Sequence, residues 1–311
     1  MLINKLIKGI TLLTSSDCNL NCMYCFTKTR RENANVISIH IWERVMSEAK
    51  NMGAEWVILA GPGEPLLSTD TFKLIEYASY LKMKTMLFTN GTLITKDIAD
   101  FLIANKVNLT FKIHSFDPGM HDFLAGIENS AAWVDYEYRY KNRTIRHPIP
   151  FSLSILLDKI PIFYRKELLR IETVITKYNL EHLISLAVFI KAHRLDYLFE
   201  TILSPVDRSL DNLVPNNTEY SNVFKALKNH LGLGFRLGQM HSGCTIRNNP
   251  VIWEDGSIAK CLFEYSSVGN IRDDTLHNLW LKRMALKDRK VQKKHLNGFR
   301  HCLGRQSAQV Q

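Results

Sequence analysis

Long hydrophobic runs are missing from this 311-residue sequence. No stretch approaches the ~20 uncharged apolar residues of a membrane span, so a transmembrane protein is not expected. An export signal is not expected either. The start, MLINKLIKGITLL, is broken by Lys5 and Lys8, offers no small-residue cleavage site, and reads as a strand. Glycine (15) and proline (9) are too sparse for a collagen-like or disordered chain. Cysteine is scarce, at six residues, and the expectation is a cytoplasmic protein whose thiols stay reduced. No internal repeat, low-complexity tract, helix-turn-helix, zinc finger or aromatic RNA-binding repeat is present.

Acidic residues are outnumbered, 30 against 40 Lys+Arg, for a formal charge of +10. Part of that excess is local: Lys282 to Arg305 holds nine basic residues against Asp288 alone. Such a run fits a solvated helix face. An anionic partner is the other reading, but no nucleic-acid motif accompanies it, and nucleic acid is not the expected partner.

What is there in quantity is alternation. Apolar strand-like runs at Gly9–Thr14, Trp56–Gly61, Lys84–Asn90, Asn108–Ser115, Pro150–Leu157 and His182–Ile190 alternate with amphipathic stretches. Ser38–Met52 places Ile41, Val45, Met46 and Ala49 on one face at steps of three and four. Ser68–Leu81, Thr95–Asn105 and Tyr164–Tyr178 read as helices as well, with Ser68 and Thr95 as N-caps. Six strand–helix units predict an α/β fold with a parallel sheet, a partial (β/α)6 TIM-like barrel. A closed eightfold barrel needs more chain. In such sheets chemistry gathers at the carboxyl ends of the strands.

Ala131–Arg146 interrupts the rhythm and reads either as a helix over the barrel mouth or as a surface excursion. Ser204–Thr218 is rich in Pro, Asn and Asp and reads as a linker. The expected organisation is a barrel domain at 1–203, a linker at 204–238 and a small separate unit at 239–311.

Three cysteines, Cys18, Cys22 and Cys25, fall in a C-x3-C-x2-C spacing just after the first strand. A polar loop flanked by Asn is a poor place to bury three structural thiols. A structural zinc ion wants four protein ligands, and the nearest downstream histidine, His40, lies in a predicted helix. Three thiolates from one short loop suit a [4Fe–4S] cluster with one iron left open to a ligand.

This loop resembles the signature of the radical S-adenosylmethionine (radical SAM) superfamily. The resemblance implies that Cys18, Cys22 and Cys25 hold a [4Fe–4S] cluster whose fourth iron is chelated by S-adenosylmethionine (SAM). It further implies one-electron cleavage of SAM to methionine and a 5′-deoxyadenosyl radical, with the electron drawn from an external flavodoxin- or ferredoxin-type reductant. Tyr24, before the third cysteine, matches the family's aromatic position, and Tyr24 and Phe26 become candidates to line adenine. Gly61-Pro62-Gly63-Glu64-Pro65 is similar to the family's Gly-Gly-Glu element, with Gly61 and Gly63 letting backbone approach the ligand and Glu64 pairing with the SAM ammonium. Thr89-Asn90-Gly91 also fits. Lys112 through Pro118, followed by His121-Asp122 and Gly126, resembles a family segment in which Lys112 usually is Ser and His114 usually is Asp. Lys112 and Ser115 are therefore cofactor candidates, and Lys112 and His114 catalytic candidates. Ser152 and Ser154, on one face of the expected fifth strand, are further candidates to reach SAM.

Cys244, Gly256, Cys261 and Cys302 are similar to the C-terminal SPASM/twitch extension of radical SAM enzymes, which binds auxiliary Fe–S clusters. Asp255-Gly256 is a hairpin signal that would carry Cys261 back toward Cys244. Three cysteines imply one auxiliary [4Fe–4S] cluster, its last position left open or filled by a group such as His241 or His301.

The resemblance implies an oxidoreductase that abstracts hydrogen from a small polar metabolite (a sugar, aminocyclitol or nucleoside) and dehydrogenates it, as in the aminocyclitol dehydrogenases. Because the sequence begins almost at its first strand, a peptide-recognition domain ahead of it is not expected. Peptide maturation or epimerisation is the second reading; epimerisation needs a hydrogen donor and no cysteine is spare. A metal-binding or RNA-binding module without catalysis is the third.

Overall fold

The computed structural model describes residues 6–28, 35–201, 208–231, 249–261 and 264–285. Its centre is a run of parallel strands in chain order: β1 (Gly9–Leu13), β2 (Trp56–Ala60), β3 (Lys84–Thr89) and β4 (Asn108–Lys112), followed by β7 (Leu169–Ile175) and β8 (Asp196–Thr201). Six parallel strands laid side by side in sequence, with helices between them, make the expected partial barrel. Leu12, Val57, Leu59, Leu87, Leu109, Phe111 and Ile171 are buried on the helix-covered face.

The first four units follow the sequence reading. Helix α1 (Ile39–Asn51) buries Trp42, Val45, Met46 and Ala49. Ser68 caps α2 (Thr69–Tyr80) by accepting from Asp70 N, and Thr95 caps α3 (Lys96–Ala104) by accepting from Ile98 N. Asp117 caps α4 (Pro118–Ala125) through Met120 N.

Beyond α4 the reading slips by half a unit. Ala131–Arg146 belongs neither to a helix nor to a loose excursion. It lies in a two-stranded antiparallel ribbon, β5 (Trp133–Tyr140) and β6 (Arg143–Pro150). Lys141 and Asn142 turn the ribbon with φ of 48° and 36°, the primed geometry that suits a two-residue hairpin. Pro150–Leu157 is then not a strand but the start of α5 (Phe151–Lys159). Tyr164–Tyr178 is not one helix: a single turn, α6 (Arg165–Leu168), leads into β7. His182–Ile190 falls on α7 (Leu183–Ala192). The cause is burial: β7 and α7 are both apolar almost all round, and periodicity cannot separate a buried strand from a buried helix. Six parallel strands remain, two of them formed by other residues than expected.

The stretch read as linker contains a 3₁₀ segment (Arg208–Leu213) and a 15-residue helix, α8 (Asn217–Leu231), whose Tyr220 and Leu227 join the main core. The described part of the C-terminal unit is not separate either. Strand β9 (Val251–Ile252) pairs parallel with β1, and β10 (Ser257–Cys261) and β11 (Glu264–Asn270) extend the same sheet outward. Gly256, at φ 85°, turns β9 into β10 as its Asp-Gly signal predicts. Helix α9 (Leu276–Ala285) docks on α1, where Glu48 accepts from Leu276 N at 2.6 Å. Cys244 and Cys302 lie outside the described residues, as does the side chain of Cys261. Among the described residues no helix is long and apolar enough to cross a membrane.

Candidate active site

The three-cysteine loop is clamped from two sides by backbone. On one side the turn after β2 lies against its entry: Gly63 N donates to Ser15 O at 2.9 Å and Glu64 N to Asp17 O at 2.7 Å. A Cβ on Gly63 would stand 1.9 Å from Asp17 O, and one on Gly61 2.6 Å from Ser15 O. These glycines therefore bring the turn onto the cysteine loop, a closer partner than the ligand expected from sequence. On the other side, the last carbonyls of α4 accept from the loop, Ala125 O from Asn21 N and Leu124 O from Met23 N, both at 3.0 Å. Gly126 makes this possible, in the left-handed region at φ 68° with Asn21 O where a Cβ would be.

Held this way, Cys18, Cys22 and Cys25 form no disulfide, and each is partly exposed. Burial pushes the Cys22 thiol up, while the nearby Tyr24 and the positive charge of Lys112 pull the other way. Three sulfurs with a cation beside them form a donor set that fits an iron–sulfur cluster held through three corners. Among the described residues no three Cys, His, Asp or Glu side chains converge to hold a single metal ion; a cube takes one sulfur per corner and asks for no such convergence.

Glu64 is buried, at 3% exposure, at the carboxyl end of β2. Its Oε1 accepts from Leu66 N at 3.0 Å and Thr89 Oγ1 at 2.8 Å, and its Oε2 from Asn90 N at 2.7 Å. Burial pushes this carboxyl up, and those donors and Lys112 pull against it. Glu64 is thus first an anchor between the ends of β2 and β3, with lone-pair capacity left on Oε2 for one more donor. The Asn90 side chain ties that corner to the cysteine loop, donating to Asn19 Oδ1 at 2.9 Å.

Inside the barrel opposite the loop stand groups that the sequence reading placed only in part. Lys112 Nζ lies 3.5 Å from Glu172 Oε1, its register partner across β4 and β7. Burial works against the ammonium, but the carboxylates of Glu172 and Glu200 and the nearby Cys22 and Cys25 outweigh it and raise its pKa. Burial and the Glu172 charge push Glu200 up to about 8. Glu172 and Glu200 were missed because β7 was read as a helix and β8 lay past the recognised alternation. The usable signal was an acid in the interior of each mostly apolar strand, Glu172 in LRIETVI and Glu200 in DYLFET.

His114 is buried, at 2% exposure, and not at the surface. Burial holds its pKa well below the usual value, reinforced by His121 and Lys112. Its Nε2 is hydrogen-bonded to the Tyr24 hydroxyl and its Nδ1 accepts from Val174 N. Tyr24 keeps 9% exposure, packed against Leu124, Val174, Leu210 and Leu213. Phe26 is partly buried between that cluster and the one around Trp253. The Ser115 hydroxyl accepts from Asp117 N and is hydrogen-bonded to His182 Nδ1, both at 2.8 Å. Ser152 and Ser154 stand on α5, so the strand alternation that put them on one face is absent, and Ser154 donates to Phe151 O within that helix.

Comparison with known proteins agrees with this arrangement. Residues 12–149 match the family described as the radical SAM superfamily. An AdoMet-dependent heme synthase of Methanosarcina barkeri is 32% identical over 121 residues, 36% of this chain and 33% of that protein. An S-adenosylmethionine-dependent nucleotide dehydratase of Flammeovirga pacifica is 28% identical over 192 residues, 57% of this chain and 59% of that one. The match thus spans between a third and three-fifths of these curated relatives. Among solved structures, Streptococcus suis SuiB bound to S-adenosylmethionine has the same fold at TM-score 0.65 and 18% identity, over 89% of this chain and 66% of that one. The enzyme anSMEcpe with bound AdoMet and a peptide follows at TM-score 0.62 and 20% identity, over 88% and 80%. The clamped cysteine loop, the anchored glutamate and strands β2 to β4 all lie within residues 12–149, the stretch of this chain that matches the radical SAM superfamily.

Proposed function

We propose that this chain cleaves SAM reductively and uses the resulting radical to dehydrogenate a small polar metabolite. The observation that carries the proposal is the placing of three partly exposed thiols on a doubly clamped loop beside Glu64, with Lys112 on β4 and Glu200 on β8, either side of β7. Cys18, Cys22 and Cys25 would hold the [4Fe–4S] cluster, and the remaining lone pair of Glu64 Oε2 would take the SAM ammonium. Bound together, cluster and SAM supply a 5′-deoxyadenosyl radical able to take hydrogen from an unactivated C–H bond.

The substrate class follows from the polar set opposite the loop. Lys112 offers an ammonium donor, and Glu200, titrating near neutrality, is both donor and acceptor at pH 7. Such a pair suits hydroxyls or amines on a sugar, aminocyclitol or nucleoside. The nucleotide acted on by the Flammeovirga relative belongs to the same broad class. Dehydrogenation removes a hydrogen atom from carbon, a proton and an electron. Glu200 takes the proton in its ionised form. An auxiliary cluster at Cys244, Cys261 and Cys302 would supply the acceptor for the electron.

The test is hydrogen transfer. Reconstituted protein, reduced with dithionite under anaerobic conditions, is given SAM and pools of deuterated polar metabolites or deuterated peptides. Deuterium appearing in 5′-deoxyadenosine from a metabolite, with a product two hydrogens lighter, supports the proposal. Deuterium arriving only from a peptide makes the chain a peptide maturase instead.

A further inference from the structure

We propose that the inner faces of β2 and β3 form an apolar wall that selects a nucleoside as the metabolite dehydrogenated by this chain. This rests on the proposed function and narrows its substrate class to one member. The wall follows from strand alternation. Val57, Leu59 and Leu87 point into the helix-covered core. Their neighbours Trp56, Ile58, Met86 and Phe88 therefore point the other way, into the barrel. Each of these four is partly exposed, and none joins an apolar cluster of the described residues. Gly9 on β1 leaves room for the largest of them, since a Cβ there would stand 2.1 Å from Trp56 Cδ2. Two adjacent strands thus present four large apolar side chains to the barrel interior, with no core of the protein's own to cover them.

The opposite wall differs in kind. Phe88 is level with Thr110, Thr110 with Arg170, and Lys112 with Glu172. Val174, two residues beyond Glu172, is level with Glu200. Register partners share a face of the sheet, so β4, β7 and β8 turn Thr110, Lys112, Arg170, Glu172 and Glu200 inward. Both cations of this wall are already engaged, Lys112 with Glu172 at 3.5 Å and Arg170 with Asp196 at 2.6 Å.

A ligand that fits this interior is divided as the interior is. In a nucleoside, the base has a flat face that stacks on aromatic side chains, and the ribose carries its hydroxyls to the charged wall. A sugar or aminocyclitol bears a hydroxyl or amine on nearly every ring carbon. Set against Trp56, Ile58, Met86 and Phe88, some of those groups would lose water and gain no partner. Neither engaged cation is free to hold a phosphate, which favours the nucleoside over its nucleotide. Oxidation of one ribose CH–OH to a ketone gives a hydrogen atom to the 5′-deoxyadenosyl radical, a proton to Glu200 and an electron to the auxiliary cluster. Phe88 and Trp56 are then specificity-determining residues for this step.

The experiment gives SAM to anaerobically reconstituted, dithionite-reduced protein with one of three probes. These are ribonucleosides, their 5′-triphosphates, and a set of sugars and aminocyclitols, each deuterated on the ring carbons that bear hydroxyls or amines. Deuterium should reach 5′-deoxyadenosine from a nucleoside about tenfold faster than from either other probe, the ratio expected for one stacking partner. An equal or faster transfer from a sugar, an aminocyclitol or a triphosphate would overturn the inference and leave the proposed function standing. SAM cleavage with no transfer from any of the three would defeat the proposed function itself. Phe88→Ala should raise the KM of the nucleoside about tenfold, while its SAM affinity, read by calorimetry, moves less than twofold. An unchanged KM, or a SAM affinity that falls as far as the KM rises, would overturn the wall as a substrate site. Should Phe88→Ala fail to fold, the three wild-type rates decide.

Discussion

Lys112 and Glu172 face each other across neighbouring strands, ammonium to carboxylate at 3.5 Å, with Glu172 at 2% exposure and Lys112 a third exposed. Removing one member leaves the other without its counter-charge, whereas removing both leaves nothing to compensate. Lys112→Met should therefore destabilise the fold by about 3 kcal/mol, the lower end for a buried pair because Lys112 reaches solvent. Lys112→Met with Glu172→Gln should recover part of that loss. Denaturant unfolding of the four proteins of this cycle checks it, and a double variant weaker than Lys112→Met alone would refute the pairing.

Glu64 offers a finer dissection. Glu64→Ala orphans Leu66 N, Asn90 N and the Thr89 hydroxyl, each at a cost of about 1–3 kcal/mol. Glu64→Gln keeps most of the volume and one acceptor but loses the charge. It should stay folded while binding SAM about tenfold more weakly, since a charge-assisted hydrogen bond contributes about 1.5–3 kcal/mol. Calorimetric SAM titration and thermal melts separate the two effects. A Gln variant with wild-type SAM affinity would restrict Glu64 to its anchoring role.

Gly126 is predicted to be intolerant of any side chain. The left-handed backbone alone costs alanine about 1–2 kcal/mol, and the new Cβ would meet Asn21 O at 2.0 Å. Gly126→Ala should lower the melting temperature and reduce iron uptake by the cysteine loop. Gly119→Ala serves as the contrast. Its nearest neighbour at a built Cβ is Asp117 Oδ1 at 3.4 Å, and it should load iron as the wild type does. Equal uptake by both variants would show that the α4 clamp is dispensable.

Stability should fall on both sides of neutrality. The Glu200 carboxyl is raised from its ordinary 4.5 to about 8, so the folded chain holds a proton that the unfolded chain has released. The stability this confers is full below pH 4.5 and is lost as pH rises through 8. His121 and His193 are held down to about 4 by burial, so their contribution is present above pH 6.5 and lost as pH falls through 4. Thermal melts from pH 4 to 9 should show both limbs, and Glu200→Gln should flatten the alkaline one only. An unchanged alkaline limb would mean that Glu200 is ionised throughout.

The chain before Gly126 was legible because its strands alternate with helices whose polar faces, caps and turn residues agree. Cys18, Cys22 and Cys25 stood out by their spacing after β1, and Glu64 by the resemblance of its turn after β2 to the family's Gly-Gly-Glu element. What failed did so for a physical reason. The β5–β6 ribbon carries its signal in alternation around Lys141-Asn142, a turn without glycine, and once it was missed every later strand was assigned out of step. Ser152 and Ser154 were lost as strand residues by that slip, and Glu172 and Glu200 went unseen. The roles of Gly61, Gly63 and Gly126 could not be read either, because the backbone they touch comes from distant sequence.

The most direct measurement of the central claim is 5′-deoxyadenosine formed from SAM by anaerobically reconstituted, dithionite-reduced protein. The account predicts that the wild type forms it and that the Cys18/Cys22/Cys25 triple Ala variant forms none. A wild type that binds iron and leaves SAM intact, or a triple variant that cleaves SAM equally well, would contradict it.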